Sequence, residues 1–382
     1  MDNRLHVHAA FLDVAKAFDR VDHSILLSRL ADIGMSESTL TWFRSYLSGR
    51  EIQTRVDGVM SDPLETTSGV PQGSVLGPLL YLLHVREVPS VSKAGCALFA
   101  DDTMLHRCGC VADRQLPCCP LEGDLQRLSV WAEESKIMFN AAKSASMIIG
   151  GKSRGPPLQP ICLNGVPVPL RSSQRHLGVI LSDNLRWDAH VSRMLQLVSA
   201  PLSLLKLLAY RHRLPPMCIR RFYCGFIRPR LEYSSAVWGG CCRKLQSRLE
   251  RVQLQGARAI VRTPGLSHQE LLSRAGLPSL CWRRRIHRLE LLWKLVNHQG
   301  PPQLQALVPK PASSRCRYSL RATHAIEFPD SGSARMLGSF LGTVVPEWNS
   351  LPAEVVSATT CPSFRSRVCK FFHSDRFSFG LL

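Results

Sequence analysis

Gly95-Cys96-Ala97-Leu98-Phe99-Ala100-Asp101-Asp102-Thr103-Met104-Leu105-His106 is the stretch on which the fold turns. Two short apolar runs flank adjacent aspartates, a pattern that predicts two strands joined by a tight turn holding both carboxylates. A second run, Ala9-Ala10-Phe11-Leu12, also ends in an aspartate, Asp13, as expected of a buried strand delivering a carboxylate at its C-terminal end. Carboxylates beside strands made of Ala, Leu, Phe and Cys are costly unless cations neutralise them, and divalent ions are the usual remedy. Two metals about 3.5 to 4 Å apart would activate an attacking hydroxyl and stabilise a departing phosphate oxygen. For Asp101-Asp102 taken alone, a plain hairpin turn is the better reading, because aspartate is a good turn residue.

Working outward, residues 23–33 carry Ile25, Leu26, Leu30 and Ile33 at helical spacing and stop at Gly34. A second helix opens on Ser36 as N-cap and runs through Leu40, Phe43, Tyr46 and Leu47 to Gly49. A strand-like segment, residues 51–56, meets the hairpin signal Asp57-Gly58. Gly69-Val70-Pro71-Gln72-Gly73-Ser74 is a loop into an apolar helix over 75–85. Beyond the aspartate hairpin the pattern predicts a helix over 121–137, a strand over 146–149, a Gly/Pro/Ser/Lys linker over 151–160 and strands over 161–168 and 177–181. Helices then follow over 187–210, 216–226, 243–261, 268–275 and 282–296, and after Gly300 the pattern dissolves into Pro, Ser and Arg. No repeat of 20 to 50 residues is present, which argues against a solenoid.

Three stretches stand together here: Phe11-Leu12-Asp13-Val14-Ala15-Lys16-Ala17-Phe18-Asp19-Arg20-Val21-Asp22-His23, Ser68-Gly69-Val70-Pro71-Gln72-Gly73-Ser74-Val75-Leu76-Gly77-Pro78, and Phe99-Ala100-Asp101-Asp102. In order and spacing they resemble the first three palm motifs of non-LTR (LINE-type, chicken-repeat and jockey-like) retrotransposon reverse transcriptases. Trp131 with Phe139-Asn140 and Lys143 resembles the family's fourth motif, and His176-Leu177-Gly178-Val179 its primer-grip hairpin. Arg228-Pro229-Arg230-Leu231-Glu232-Tyr233 with Val237-Trp238, and Leu249 to Gln253, are similar to the segment after the polymerase core.

The resemblance implies an α+β polymerase palm over 1–150, an antiparallel sheet with helices on one face. It implies a primer-grip hairpin and thumb over 151–213, a helical basic region over 214–300 and an irregular C-terminal region over 301–382. By the same resemblance Asp13, Asp101 and Asp102 are the catalytic carboxylates. Together with the Val14 carbonyl they would hold two Mg²⁺ ions, or Mn²⁺, for attack by a primer 3′-hydroxyl. Phe18 matches the steric gate against a ribose 2′-hydroxyl, and a core aromatic is its alternative. Gly69 and Gly73 would let backbone approach nucleotide and template, Gln72 would meet the incoming base pair or sugar, and Lys143 would protonate pyrophosphate. Asp19 and Asp22 read as caps or turn residues. The implied partners are an RNA template, a DNA primer and deoxynucleoside triphosphates.

The charge supports a polyanionic partner. The 382 residues carry 48 Lys and Arg against 29 Asp and Glu, a net +19. Residues 1–150 hold 14 basic and 18 acidic residues, whereas 151–382 hold 34 and 11, a surplus of +23. Arg220, Arg221, Arg228 and Arg230 cluster in one segment, and Arg283, Arg284, Arg285 and Arg288 in another. Helical spacing turns Trp282, Ile286, Leu289 and Trp293 to one side of the second segment. Its arginines are then expected outside, either as a solvated face or as phosphate contacts.

Fourteen cysteines without a signal peptide read as mostly reduced and intracellular. Cys108-Gly109-Cys110 with Cys118-Cys119 lacks knuckle-ligand spacing, so an irregular surface loop is expected rather than zinc. The longest apolar run, 11 residues from Val75, is too short for a membrane span. Two departures from the family stand out: only twelve residues precede Asp13, leaving no room for fingers, and His84-Val85-Arg86-Glu87-Val88-Pro89 replaces the usual Asn-Asp-Leu-Pro. The expectation is therefore a polymerase domain, with a truncated or decayed element-derived protein that binds nucleic acid through its basic part as the alternative.

Overall fold

A computed structural model describes residues 5–110, 120–150, 160–312, 324–328 and 334–378. Contacts divide the chain into two compact units, Asn3–Asn184 and Leu185–Leu382.

The first unit is built on a four-stranded antiparallel sheet of β1 (Leu5–Leu12), β2 (Gly95–Phe99), β3 (Asp102–Cys110) and β4 (Ala145–Ile149), in the spatial order β2-β3-β1-β4. The apolar run that ends at Asp13 thus becomes a central strand. Alternation sorts its side chains between two faces. Ala10 and Leu12 enter the main core with Leu26, Leu30, Leu121, Leu125 and Leu128 of the covering helices, while Ala9 and Phe11 pack with Met147 on the other face. Helices therefore cover one face of an antiparallel sheet, as expected of the α+β palm.

Local signals set the helix ends. Asp22 accepts from the Ile25 N–H at the start of His23–Asp32, and Ser36 accepts from the Thr39 N–H at the start of Glu37–Leu47. Asp57 and Gly58 take φ values of 48° and 88° between the paired residues Val56 and Val59, the doubly left-handed turn that suits a two-residue hairpin. The strand pair Ser173–His176 and Val179–Ser182 is closed in the same way by Leu177 and Gly178, at 45° and 78°.

The second unit is helical. Asp188–Tyr210, Arg243–Val261 and His268–Ala275 share one core with Tyr223 and Trp238. By length and composition Asp188–Tyr210 is apolar enough to cross a membrane, although no single apolar run in the sequence suggests it. Its Val191, Met194, Val198, Leu202, Leu205 and Ala209 instead form a stripe in that core. Where the sequence pattern dissolves, Phe340–Asn349 and Cys361–Phe371 are helices. Their Trp348 and Phe364 pack with Trp293 into a further core.

The second arginine cluster corrects its expectation. On helix Leu280–Val296 the apolar face is buried as expected, but Arg284 is 1% exposed and Arg288 7%. Arg283 pairs with Glu232, Arg285 with Glu347 and Asp375, and Arg288 with Glu347. The Arg284 guanidinium lies 5.7 Å from the Trp238 ring centroid. Arg283, Arg284 and Arg285 are thus turned into the fold by acidic and aromatic partners far away in sequence. Of the linker over 151–160, residues 151–159 lie outside the described residues, as do Cys118 and Cys119.

Candidate catalytic site

The register between β1 and β3 brings the two aspartate stretches together. Leu12 pairs with Thr103, the last rung of the ladder, so Asp13 and Asp102 each stand one residue beyond that rung. Phe99 pairs with Asp102 across the hairpin, which leaves Ala100 and Asp101 as its two-residue turn. Ala100 takes φ 53°, a left-handed conformation that L residues adopt at a cost. Asp101 and Asp102 are exposed at this tip and Asp13 is half-buried beneath it.

Asp13 is held through its backbone. Its N–H donates to Ser144 Oγ (3.1 Å), its carbonyl accepts from the Asn140 N–H (2.8 Å), and Ser144 Oγ donates to the Asn140 carbonyl (2.8 Å). The Ala15 N–H donates to the Met138 carbonyl, so Val14 and Phe139 form a non-hydrogen-bonded antiparallel pair. That bonding pattern turns the N–H and C=O of Val14 itself away from Phe139. The fourth-motif segment is thus the brace of the first, and the Asp13 carboxylate takes no part in the bracing.

The two hairpin aspartates act in different directions. The Asp101 charge adds to burial in raising the Tyr81 phenol above its usual range, and the Tyr81 ring packs against Phe18 with centroids 4.9 Å apart. Asp102 faces His176, partly offsetting the burial that lowers the pKa of that imidazole, and the His176 ring packs on Phe11 at 5.3 Å. The Asp101 charge is thus felt at the Tyr81 that backs Phe18, and that of Asp102 at the hairpin of residues 173–182. Sequence reasoning missed Tyr81, for which a tyrosine in the mostly aliphatic helix Leu76–His84 was the available signal, and it noted His176 only within the primer-grip resemblance.

The glycine loop docks on the first motif. The Gly69 N–H donates to the Val21 carbonyl, the Val70 N–H to the Phe18 carbonyl, and Ser68 Oγ to the Asp19 carbonyl (3.0 Å). At Gly69 φ is 91°, and a Cβ there would meet Asp19 backbone at 2.9 Å, so the close approach expected of Gly69 is made to Asp19. Gly73, at φ 81°, has open space around its missing Cβ. Gln72 gives one amide N–H to Asp19 Oδ1 (2.7 Å), which leaves its second N–H and its carbonyl oxygen to offer. Asp22 caps its helix, as read, and pairs with Lys136 at 2.7 Å, whereas the Asp19 side chain accepts from Gln72. Lys143 is exposed in the turn after Asn140.

As a metal site the donors are right and the cage is open. Asp13, Asp101 and Asp102 offer hard carboxylate oxygens with no basic side chain paired to them among the described residues. Among those residues, too, no three His, Cys, Asp or Glu side chains converge tightly enough to hold an ion. Mg²⁺ does not require such a cage: it keeps waters and binds one or two carboxylates plus substrate phosphates. The residues present therefore fit Mg²⁺ delivered with a nucleotide rather than a resident structural ion.

Comparison with known proteins places part of the chain beside one family and several curated relatives. The reverse transcriptase (RNA-dependent DNA polymerase) family matches residues 1–181. The chain is 31% identical over 266 residues to the probable RNA-directed DNA polymerase from transposon X-element of Drosophila melanogaster, covering 68% of this chain and 29% of that protein. It is 28% identical to the probable polymerase from transposon BS of the same fly, covering 69% and 30%. To the RNA-directed DNA polymerase from mobile element jockey it is also 28% identical, covering 69% and 29%. The chain thus spans about three tenths of the length of these curated relatives.

Proposed function

We propose, for a chain whose residues 1–181 belong to the reverse transcriptase (RNA-dependent DNA polymerase) family of non-LTR retrotransposons, that the first unit acts in RNA-directed DNA synthesis, adding deoxynucleotides to a primer 3′-hydroxyl. The observation that carries this reading is the β1–β3 register, whose last rung, Leu12 with Thr103, leaves Asp13 and Asp102 one residue beyond it beside an exposed hairpin tip.

Asp13, Asp101 and Asp102, with the Val14 carbonyl, would hold two Mg²⁺ ions. When bound, such ions supply charge stabilisation at the α-phosphate and at the attacking and leaving oxygens. The chain's own residues do the positioning. Phe18, backed by Tyr81, packs where a ribose 2′-hydroxyl would sit. Gln72, with one amide N–H held by Asp19, offers its second N–H and its carbonyl oxygen to the nucleotide, and Gly73 leaves room beside it. Lys143 supplies a proton to the pyrophosphate. The hairpin of residues 173–182, beside Asp102 through His176, supports the primer end. The test is extension of a DNA primer on an RNA template with Mg²⁺ and deoxynucleotides. Product from the parent chain and none from Asp102→Asn supports the reading; equal product from both sinks it.

A second reading, a non-catalytic nucleic-acid-binding protein, is favoured by the second unit, where residues 185–382 hold 30 Lys and Arg against 10 Asp and Glu. Arg220, Arg221 and Arg230 are exposed there. Binding without extension, with log affinity falling against log salt by about 0.9 per phosphate neutralised, would select it.

A further inference from the structure

Residues 216–232 form one helical stretch with a widened middle: Pro216–Phe222 is α-helical, Tyr223–Ile227 is a π-helical turn, and Arg228–Glu232 is α-helical again. The cause is Pro229. It has no N–H to donate to the Gly225 carbonyl and its ring would crowd that oxygen. The Arg228 N–H instead donates to the Tyr223 carbonyl, five residues back. Ile219, Tyr223, Ile227 and Leu231 recur every fourth residue on the buried side. One position earlier on each turn stand Phe222, Phe226 and Arg230. The Phe222 and Phe226 rings stack with centroids 5.0 Å apart and planes 21° apart, and Phe226 is 57% exposed. The exposed Arg230 donates to the Phe226 carbonyl at 2.8 Å, and the exposed Arg221 precedes Phe222. Beside them Gly225 is unfavourable inside a helix. No left-handed φ and no atom within 4 Å of an added Cβ demands glycine there. What glycine leaves is bare ground next to an exposed, pre-stacked ring.

We propose that Phe226 is a stacking platform for single-stranded nucleic acid, with Arg230 and Arg221 taking the adjoining phosphates and Gly225 giving a base room to lie against the ring. An exposed aromatic stack beside arginines is the combination that holds single strands without reading sequence, because every base has a face to stack. Charge selects the occupant. The unit has a surplus of 20 basic residues, yet Arg228, Arg283, Arg285, Arg288 and Arg365 are spent on carboxylates. Arg221 and Arg230 face no carboxylate among the described residues. The platform rests on the polymerase reading only in expecting a nucleic acid, and uses none of its aspartates.

The test uses the full chain without divalent metal or nucleotide, and reads fluorescence anisotropy on labelled oligouridine, on oligothymidine and on a blunt duplex of equal length. Phe226→Ala should weaken both single strands by about 5- to 150-fold and leave the duplex nearly unchanged. Phe226→Tyr should bind as the parent does, whereas Phe226→Leu, apolar but unable to stack, should lose as much as alanine. Arg230→Gln should reduce the salt slope by about one. Thermal melting of each variant reports the fold. Single-strand affinity unchanged in Phe226→Ala, an equal loss on duplex, or parent-like binding by Phe226→Leu would each overturn the proposal. A chain that binds in this way yet extends no primer counts against the polymerase reading alone.

Discussion

A Cβ on Gly69 would lie 2.9 Å from the Cα and from the carbonyl oxygen of Asp19. The two motif loops are thus in backbone contact, and at Gly69 the glycine is required by φ and by space at once. Gly69→Ala should therefore destabilise the first unit by about 2 kcal/mol or more, since a left-handed alanine costs about 1 kcal/mol before any clash is counted. Gly73→Ala, with the same sign of φ but open surroundings, should cost only about 1 kcal/mol. Urea unfolding midpoints of the two variants, compared with the parent, check the difference.

Asp101→Asn and Asp102→Asn should each abolish Mg²⁺-dependent primer extension while leaving the thermal midpoint within a degree or so of the parent. Both carboxylates are exposed at the hairpin tip, and neither is part of the bonding that braces β1. A variant that melts much lower would instead assign the residue to the fold.

Phe18→Ala should admit ribonucleotides more readily, measured as the ratio of ribonucleotide to deoxynucleotide incorporation. Because the Tyr81 ring backs Phe18, Tyr81→Leu should shift the ratio in the same direction and by less. Tyr81→Phe keeps the ring and should not shift it. Unchanged discrimination in Phe18→Ala would make Phe18 a core aromatic.

Arg288→Ala should destabilise the second unit by about 2 kcal/mol, the usual worth of a hydrogen bond to a charged group, with Arg285 still pairing Glu347, and leave nucleic-acid affinity alone. Arg221→Ala should do the reverse. Denaturation and binding titrations of the two variants give the comparison, and a drop in affinity for Arg288→Ala would restore that cluster as a phosphate contact.

Acid should weaken the first unit between about pH 6.5 and 4. Burial, and then the neighbouring His6, push His8 down to about 4; burial, and then the Arg29 charge, do the same to His84. With folded values below the unfolded 6.5, the unfolded chain binds the extra protons in this window, so stability falls as pH falls and is flat above it. The slope should reach up to about 1.4 kcal/mol per pH unit for each histidine. His84→Gln keeps an acceptor beside Arg29 and cannot titrate. Its urea midpoint should vary less steeply with pH than that of the parent.

The departure of His84-Val85-Arg86-Glu87 from the family pattern finds its physical setting in the same place. Arg29 donates to the His84 carbonyl and to Ser135 Oγ (2.6 Å), pairs with Glu87 at 3.2 Å, and lies 5.3 Å from the centroid of the Trp131 ring. His84 is fully buried in this network, and Glu87 balances the charge that Arg29 brings.

What the sequence determined by itself was whatever local chemistry decides. Ser36 and Asp22 cap the helices that follow them, Asp57-Gly58 closes its hairpin, and the apolar spacing bounds Arg243–Val261 and His268–Ala275 to the residue. The three aspartates were legible because carboxylates at the ends of apolar strands conflict with their surroundings, and the conflict is visible within a few residues. Only the tertiary structure decided that the strand ending before Asp13 pairs with the one that starts at Asp102, that Gly69 serves Asp19, and that Tyr81 backs Phe18. It also decided the fate of the arginines. A charged helical face is the same string whether it meets water or carboxylates, and Glu232, Glu347 and Asp375 lie too far along the chain from Arg283 and Arg285 for any local pattern to join them. Burial depends on which partners arrive, and their arrival is a property of the whole fold.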